Sequence, residues 1–394
     1  MKRFFKISLC FIFILASVFT LLSASIADES TQTSLGNTTP QLNDGQKWRI
    51  GYAETDPYGN FAGTLYGLVI GLEKLGWLSG VTYSDLPYES GQDDSKAMWA
   101  WLASHDIGSY IEFVTDAHYS FIDDKVGIEQ QINDRLINQN DLDLMIVMGT
   151  LAGTKVATEK HQTPTLVFSS SNAVSSGIIK SVEDSGYDHI WAHMDQDRYV
   201  RQVEVFHDIF NFKTLGMVYE NSELGRIYAA VDDVEGFALE RGFAIERKFV
   251  NEPNSQEEFD QYYREIRAAN IELANKVDAM FITLGPWDVK KLPELLQPFI
   301  DKKIPVFSQL GPEEVKHGAL LSLARPNFDG VGLFGADTIA KVLNGSSPRE
   351  LPQVYGDTPS IVLNLEVADL IGYQIPFDIL LAADEILPDI AKQP

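Results

Sequence analysis

The chain of 394 residues is poor in cysteine and in basic side chains. It has one cysteine, Cys10, and 31 lysines and arginines against 56 aspartates and glutamates, for a net charge of −25. Phosphate backbones and anionic lipid surfaces repel so acidic a protein, which excludes nucleic acid as a partner. Loss of the N-terminal segment that holds Cys10 would leave no disulfide, no thiol nucleophile and no thiolate metal ligand.

The sequence also lacks the common catalytic motifs. It has no G-x-S-x-G, no H-E-x-x-H and no G-x-x-x-x-G-K-[ST] pattern. Neighbouring carboxylates, as in Asp123-Asp124 and Asp232-Asp233, point about 100° apart on a helix and cannot act on one bond. We therefore expect that the protein is not an enzyme and binds no cofactor. Phosphate binding by a helix N-terminus alone stays open at Gly149-Thr150.

The N-terminus has the three parts of a secretory signal. Basic residues at positions 2, 3 and 6 precede an apolar run over 7–22, and small residues stand at Ser25 and Ala27. We predict a signal peptide over 1–27, cleaved after Ala27, which leaves a mature chain at −28. Residues 28–46 are almost free of apolar side chains and predict a flexible tether. An uncleaved membrane anchor and lipidation at Cys10 are the alternatives.

Beyond the tether, short apolar runs alternate with segments of helical period. That alternation is typical of parallel sheets covered by helices, an α/β fold. The predicted strands are Trp48–Ala53, Leu144–Met148, Thr165–Phe168, Thr214–Tyr219, Ala244–Phe249, Ala279–Leu284, Val306–Ser308, Leu320–Leu323 and Ser360–Leu363.

The pattern occurs twice along the chain. LDLMIVMG (142–149) is followed one helix later by TPTLVFSSS (163–171), and VDAMFITLG (277–285) by IPVFSQLG (304–311). Chance similarity of β-α-β units is the alternative to a true repeat. A repeat predicts two similar, doubly wound lobes, whose ligand lies where the carboxyl ends of their strands face each other.

Polar and aromatic residues cluster where the predicted strands end. Their hydroxyl, amide and backbone N–H groups suit the orientation of a small solute, and their rings suit apolar walls, as at Phe61. For any single residue, a turn or a helix cap is the alternative. The candidates are Glu54, Asp56, Tyr58, Gly149, Thr150, Ser169, Ser170, Ser171, Asn172, Tyr219, Glu220, Asn221, Gly285, Pro286, Trp287, Asp288 and Gln309.

One run of residues has the spacing of a metal site. His189, His193 and Asp195 share one face if the segment is a strand. Alternating histidines are also common in ordinary packing. We favour packing and predict no metal.

Several stretches carry a family resemblance. From Trp48 to Leu387 the chain resembles type I periplasmic solute-binding proteins, and within them the ABC-transporter group related to tryptophan/tyrosine-type binding proteins. The most specific stretches are GALLSLARPNFDGVGLFGADTIAKVLNG and SIVLNLEVADLIGY. The resemblance implies two lobes joined by three crossovers, a ligand in the cleft between them, and closure by hinge motion.

The resemblance also implies domain limits and contacts. It gives an N-terminal lobe of 47–172 plus 318–346, a C-terminal lobe of 173–317 plus 347–394, and hinges near 171–190, 311–327 and 345–358. First-lobe contacts match Gly149-Thr150 and Ser169–Asn172. Second-lobe contacts match Glu220–Glu223, including Glu223, and Gly285–Asp288.

Where this chain has Asn172 and Gly285, the family often has aspartates. An amino-acid ligand is therefore in doubt, and Arg325 is the main basic residue expected near the cleft. We expect an uncharged or cationic solute with an aromatic or apolar part.

The predicted function is that of an exported, periplasmic and monomeric receptor. It would deliver a small-molecule solute to an ABC permease. A sensor module that reports to a signalling partner is the alternative. A hydrolase or isomerase that depends on Asp288 or Glu54 is a third hypothesis.

We expect the aromatic-rich segment 83–126 to pack into a hydrophobic core, because Met98, Trp101 and Leu102 would share one face of a helix. A lid or a docking surface is the alternative.

Overall fold

Residues 36–81, 84–88, 95–122, 124–251, 253, 256–283, 285, 288–323, 328–356 and 360–391 are described by the computed structural model. The predicted signal peptide and Cys10 lie outside these residues, as do Pro286, Trp287 and Arg325. Among the described residues, no helix combines the length and the apolar character needed to cross a membrane.

Strands and helices alternate along the described chain. The strands are β1 Trp48–Glu54, β2 Ile111–Ser120, β3 Leu144–Met148, β4 Thr165–Phe168, β5 Ile190–Ala192, β6 Thr214–Glu220, β7 Ala244–Val250, β8 Ala279–Ile282, β9 Val306–Ser308, β10 Leu321–Ser322, β11 Ile361–Asn364 and β12 Ala383–Leu387. The α-helices are α1 Gly59–Lys74, α2 Ser95–Ser104, α3 Lys125–Asp134, α4 Thr150–Val156, α5 Arg198–Phe210, α6 Glu223–Tyr228, α7 Val231–Arg241, α8 Phe259–Leu273, α9 Leu292–Asp301, α10 Pro312–Lys316, α11 Phe328–Leu343, α12 Leu365–Ile371 and α13 Phe377–Ala382. Helix α3 continues into a π-helical turn, Arg135–Gln139, and single 3-10 turns cover Gln256–Glu258, Val289–Lys291 and Pro348–Glu350.

The described strands form two sheets, one in each lobe. The first has the order β2-β1-β3-β4-β5, with every pair parallel. The second has the order β12-β11-β10-β9-β8-β6-β7, in which only the pair of β10 and β11 is antiparallel. The predicted α/β fold with two doubly wound lobes is confirmed.

Helices cover both faces of each sheet, which is why the central strands are continuous apolar runs. In the first lobe, α1, α2 and α11 pack on one face, and α3, α4 and the segment around Ile178 pack on the other. In the second lobe, α5, α7 and α12 cover one face, and α8, α9 and α10 cover the other.

Helices α1 and α11 of the first lobe cross at glycine. A Cβ atom on Gly67 would collide with the carbonyl oxygen of Phe328, and one on Gly332 would collide with the backbone of Gly67. Only residues without a side chain allow the two backbones to approach this closely. The crossing joins a helix near the start of the chain to a helix that follows most of the second lobe.

The aromatic-rich segment contributes to the core of the first lobe. Met98, Trp99 and Leu102 of α2 are buried against β1 and β2, and Trp99 Nε1 donates to Val114 O at 3.0 Å. Core packing is as predicted, but the buried tryptophan is Trp99 and not Trp101, which is half-buried.

The tether prediction is wrong for the residues from 37 onward. Trp77 Nε1 donates to Thr38 O at 2.8 Å, and Asn344 Nδ2 donates to the carbonyl oxygens of Asn37 and Thr39. Asn43 Nδ2 donates to Asp143 Oδ1 at 3.0 Å. Backbone and side-chain hydrogen bonds thus fasten this polar segment to the first lobe without an apolar core of its own.

The predicted lobe limits also need correction at two strands. Strand β5 pairs with β4 in the first sheet, whereas the resemblance places 173–317 in the C-terminal lobe. Strand β10 pairs with β9 in the second sheet, whereas the resemblance places 318–346 in the N-terminal lobe. The chain therefore crosses between the sheets after β5, after β10 and between α11 and β11. The first crossing lies later than the predicted hinge at 171–190. The second falls at the end of the predicted 311–327, and the third includes the predicted 345–358.

Two of these crossovers run side by side. Met194 N–H donates to Gln353 O at 2.8 Å, and Tyr355 N–H donates to Met194 O at 3.0 Å. Burial lowers the pKa of His193, so its ring is neutral at neutral pH, and its Nε2 lies 2.9 Å from Tyr355 O. Trp191 Nε1 donates to Pro352 O at 2.8 Å, which fastens the third crossover to β5.

Candidate ligand-binding site

Gly149 ends β3 in a backbone conformation that requires glycine. Its φ is +90°, and a Cβ atom there would lie 2.5 Å from Cζ of Phe61 and 2.6 Å from Oγ1 of Thr55. Gly149 N–H donates to Phe168 O at 2.9 Å. The first lobe therefore brings the β3 turn, Thr55 and the Phe61 ring together at one edge of its sheet.

Thr150 and the Ser169–Asn172 loop hold each other in place. Ser171 N–H donates to Thr150 Oγ1 at 2.9 Å, and Ser169 Oγ lies 3.0 Å from Thr64 Oγ1. Asn172 Oδ1 accepts from the N–H groups of Val174 and Ser175 and so caps the following turn. Ser169 adopts φ +53°, an uncommon value for serine that often marks a functional loop.

Ser170 is the exception in this loop. Its Oγ is buried and has no hydrogen-bond partner within the described part of the chain. A buried hydroxyl without a partner costs free energy, and a bound ligand can supply that partner.

Glu54 lies in the interior of the first lobe. It is 1% exposed, its Oε2 accepts from Tyr52 Oη at 3.0 Å and from Ser95 Oγ at 2.6 Å, and its Oε1 lies 3.9 Å from His118 Nε2. This burial argues against the predicted solute contact. Ser95 Oγ also lies 3.1 Å from His118 Nε2, but Ser95 is equally buried, and a nucleophile needs an accessible oxygen.

Tyr58 stands where α1 begins, at the same edge of the sheet. Its ring packs edge-on against Phe61 at 5.2 Å between centroids, and its hydroxyl accepts from Asn60 Nδ2 at 3.2 Å. Burial and the carboxylate of Glu314 raise the pKa of Tyr58, whereas Arg198 lowers it. Arg198 and Glu314 belong to the second lobe, so charged groups of that lobe influence the Tyr58 hydroxyl of the first. Asp56 is half-buried two residues before it.

The second-lobe turn after β6 is more open. Glu220 is half-buried, Asn221 and Glu223 are exposed, and Ser222 Oγ accepts from Gly225 N–H to cap α6. A small pocket lies beneath this turn. Tyr219, Glu220, Tyr228, Tyr262, Thr283 and Gly285 line it, together with neighbouring apolar side chains. The structure thus brings Tyr219, Glu220 and Gly285 together, as the strand-end rule predicts.

Gln309 and Asp288 make hydrogen bonds to other residues of the second lobe. Gln309 is 2% exposed, its Nε2 donates to Tyr228 O at 2.8 Å, and its carbonyl oxygen accepts from Gln202 Nε2 at 3.3 Å. Asp288 is exposed; its N–H donates to Tyr263 Oη and its Oδ1 accepts from Lys290 N–H. Gln309 therefore braces the carboxyl edge of β9, and Asp288 caps the turn before α9.

Glu314 has a buried carboxyl group close to Ser308, the residue before Gln309. It is 7% exposed, and Ser308 Oγ lies 3.4 Å from its Oε2. Burial raises the pKa of Glu314 to about 7, against the smaller opposing effect of its hydrogen bonds. A carboxyl poised near neutral pH in a cleft is a frequent mark of a functional site.

The candidate metal residues separate. His189 Nε2 lies 3.0 Å from Thr158 O, His193 Nε2 contacts Tyr355 O, and Asp195 receives two hydrogen bonds from Arg201 at 2.8 and 2.9 Å. Each side chain therefore has its own partner and none shares a common point.

A sequence model of the family described as ABC transporter substrate binding protein matches residues 118–387, more than half of the chain. The chain belongs to this family. A comparison with curated protein sequences finds no significant match.

Solved structures share the fold of this family member. An ABC domain from Streptococcus pneumoniae in complex with L-Trp is similar at TM-score 0.63 and 19% identity, with 87% of this chain and 100% of that chain covered. A ligand-free, open substrate binding protein with adhesive properties from Clostridium difficile has TM-score 0.60 and 19% identity, with 87% and 100% covered. A conserved domain protein from Vibrio cholerae has TM-score 0.62 and 17% identity, with 86% and 100% covered.

Arg198 and Glu314 were missed by the strand-end rule, because each lies in a helix several residues beyond its strand. One signal was present for Arg198. A basic residue at the first position of a predicted helix opposes the helix dipole, so it needs another reason to be there.

Proposed function

We propose that this family member is an exported, periplasmic and monomeric receptor. It captures a small organic molecule between its two lobes and delivers it to an ABC permease, without catalysis and without a cofactor. The observation that carries the proposal is membership of the ABC transporter substrate binding family. It is supported by the effect of Arg198 and Glu314 of the second lobe on the pKa of Tyr58 of the first. Export rests on the predicted signal peptide over 1–27, and the intact mass of the secreted protein tests it by showing whether the chain begins at Asp28.

The carboxyl edges of the two sheets would offer a ligand different kinds of contact. The first lobe supplies the rings of Tyr58 and Phe61 and the unpartnered hydroxyl of Ser170. The second supplies charge from Arg198 and Glu314. A ligand that touches both edges favours the state in which they lie close, because it shifts the equilibrium by its differential affinity.

Thermal unfolding of the purified protein against amino acids, nucleosides, sugars and aromatic metabolites tests capture. We expect one selective ligand to stabilise the fold by about 2.7 kcal/mol at roughly 100 times its dissociation constant. Tyr58→Ala should weaken that ligand at least about tenfold, since it removes an aromatic wall.

Leu239→Ala is the control, because Leu239 is 87% exposed on α7 of the second lobe. Its affinity should match that of the unaltered protein. No stabilisation by any compound of the four classes would refute capture of a small solute. Ligand-dependent stimulation of the permease's ATPase would support delivery, and its absence with a bound ligand would favour a sensor.

A further inference from the structure

Helix α13 of the second lobe carries an apolar face that points to solvent. None of its residues is buried, although Ile379 and Leu380 pack partly against the core of the lobe. Phe377 and Leu381 are 78% and 76% exposed. Because they stand four residues apart, they are neighbours on one face of the helix. A helix normally turns such a face toward a core, so an exposed pair of large apolar side chains marks a place for a partner.

The stretch that contains this helix is acidic throughout. Residues 360–391 include no lysine, arginine or histidine, and their acids are Glu366, Asp369, Asp378, Asp384, Glu385 and Asp389. Asp369, Asp378 and Asp389 are exposed, and no cation of the described chain lies at ion-pair distance from them. Lys303 Nζ lies beside Gly372 but forms no ion pair with these three carboxylates. The surface around α13 therefore attracts positive charge.

Helix α7 of the same lobe shows that exposure alone is not the signal. Its Leu239 is 87% exposed, more than either residue of the α13 pair. The acids of α7 are neutralised, however, because Asp232 is bonded to Arg226 and Glu235 to Arg247. A single exposed leucine among paired charges is ordinary surface. On α13, by contrast, an apolar pair coincides with negative charge that has no counter-charge.

This combination selects among possible occupants. A second copy of the chain would place the same acids against each other, and an anionic lipid surface would be repelled. A protein segment that carries basic residues around an apolar side chain would satisfy both the charge and the apolar face. Apolar anchors inside a charged rim are the usual anatomy of such a contact.

We propose that the outer face of α13, formed by Phe377, Asp378 and Leu381, is the surface on which the permease docks, through a basic segment with an apolar side chain. This inference rests on the proposed function and names a contact surface for delivery, outside the strand-end turns of the solute site. Phe377 and Leu381 are the anchors, which govern dissociation, and Asp378 belongs to the charged rim, which governs association.

Real-time binding of the full purified protein to its permease, held in nanodiscs of neutral phosphatidylcholine, tests the surface. A double variant with Phe377→Ser and Leu381→Ser should bind at least about tenfold more weakly, chiefly through faster dissociation. Asp378→Asn should instead slow association and reduce the loss of affinity with added salt, because it removes one rim charge.

Leu239→Ser on α7 is the matched control, since it makes the same change at a more exposed leucine of the same lobe. Its binding to the permease should equal that of the unaltered protein. Thermal unfolding midpoints of all variants should also be unchanged, because the altered side chains are exposed. Empty nanodiscs of the same lipid measure any contact with the membrane itself.

The outcomes separate the two proposals. Equal permease affinity of the double variant and the unaltered protein would overturn the inference and leave delivery standing. Binding to empty nanodiscs that is lost in the double variant would assign the face to lipid and would overturn it as well. If the unaltered protein does not bind the permease at all, delivery and the docking surface fall together.

Discussion

The carboxyl edges of the two sheets differ in how far their polar groups are already occupied. In the first lobe, Thr150, Ser169 and Asn172 are engaged within their own loops. In the second lobe, Arg198 and Glu314 carry charge that no described group neutralises at ion-pair distance. For the proposed site, this difference assigns shape to the first lobe and charge to the second.

The lobes also differ in how their helices pack. The first relies on contact between backbones at Gly67 and Gly332. The second is filled by rings, with Phe206 packed against Phe212 and Phe307 at centroid distances of 5.1 and 5.2 Å. Backbone contact tolerates no added atom, whereas a cluster of rings can repack when its volume is kept.

The largest effect is expected from Gly67→Val. The added side chain must displace the backbone of α11, which should destabilise the protein by about 3 kcal/mol or more. Urea unfolding followed by tryptophan fluorescence measures it. Gly63→Ala is the comparison on α1, because the three atoms nearest to its Cβ belong to the side chain of Phe328 and not to backbone, so a smaller loss is expected. Equal unfolding midpoints for Gly67→Val and the unaltered chain would contradict the packing argument.

A smaller effect is expected from Glu314→Gln, and it depends on pH. The pKa of Glu314 is raised from 4.5 to about 7 on folding, so the native state binds its proton more tightly than the unfolded chain. The stability from this group is complete below about pH 4.5 and is lost as the pH rises to 7. Glutamine remains neutral, so the variant should gain on the order of 3 kcal/mol over the parent at pH 8 and little at pH 4.5.

Chemical unfolding of both proteins at the two pH values measures this gain. The groups that face Glu314 are Glu313 and Ser308 of its own lobe and Tyr58 of the other. Glu313→Gln is the control, and its half-exposed side chain should show no comparable dependence. A gain of equal size at pH 4.5 and pH 8 would show that titration is not its cause.

The smallest effect is a stabilisation. Gly236 lies inside α7, and a Cβ atom there would meet nothing within 4 Å. Gly236→Ala should therefore raise the free energy of unfolding by about 0.4–1 kcal/mol, because alanine restricts the unfolded chain. Thermal unfolding measures the shift. A destabilised variant would contradict the open space around Gly236.

The strands that the sequence predicted best are the buried central ones. LMIVM and TLVF are continuous apolar runs, and their limits match the structure. Strand β2, which contains Glu112, Asp116 and His118, and strand β12, which contains Asp384 and Glu385, were missed because polar residues interrupt their apolar pattern. Polar residues at an edge give little apolar signal.

The site was predicted less completely than the fold, for a geometric reason. Strand ends locate the cleft, but they do not give the direction of a side chain. Glu54 follows the alternation of Ile50 and Tyr52 into the core, and Gln309 turns to Tyr228. Whether the remaining predicted residues contact a solute stays a prediction.

The hydrogen bonds that hold the third crossover against the first lobe determine where two such receptors can be joined in a chimaera. Arg349 bonds Asp184 and Asp188, and Gln353 Nε2 donates to the carbonyl oxygens of Ser181 and Val182. The stretch from α11 to Tyr355 is thereby bonded to the segment that leads into β5. A chimaera that exchanges the second lobe between relatives should therefore keep two segments with the first lobe. These are 173–192, which ends with β5, and 344–356, which is bonded to it. Breakpoints at 172 and 346 would separate partners that belong to one folded unit.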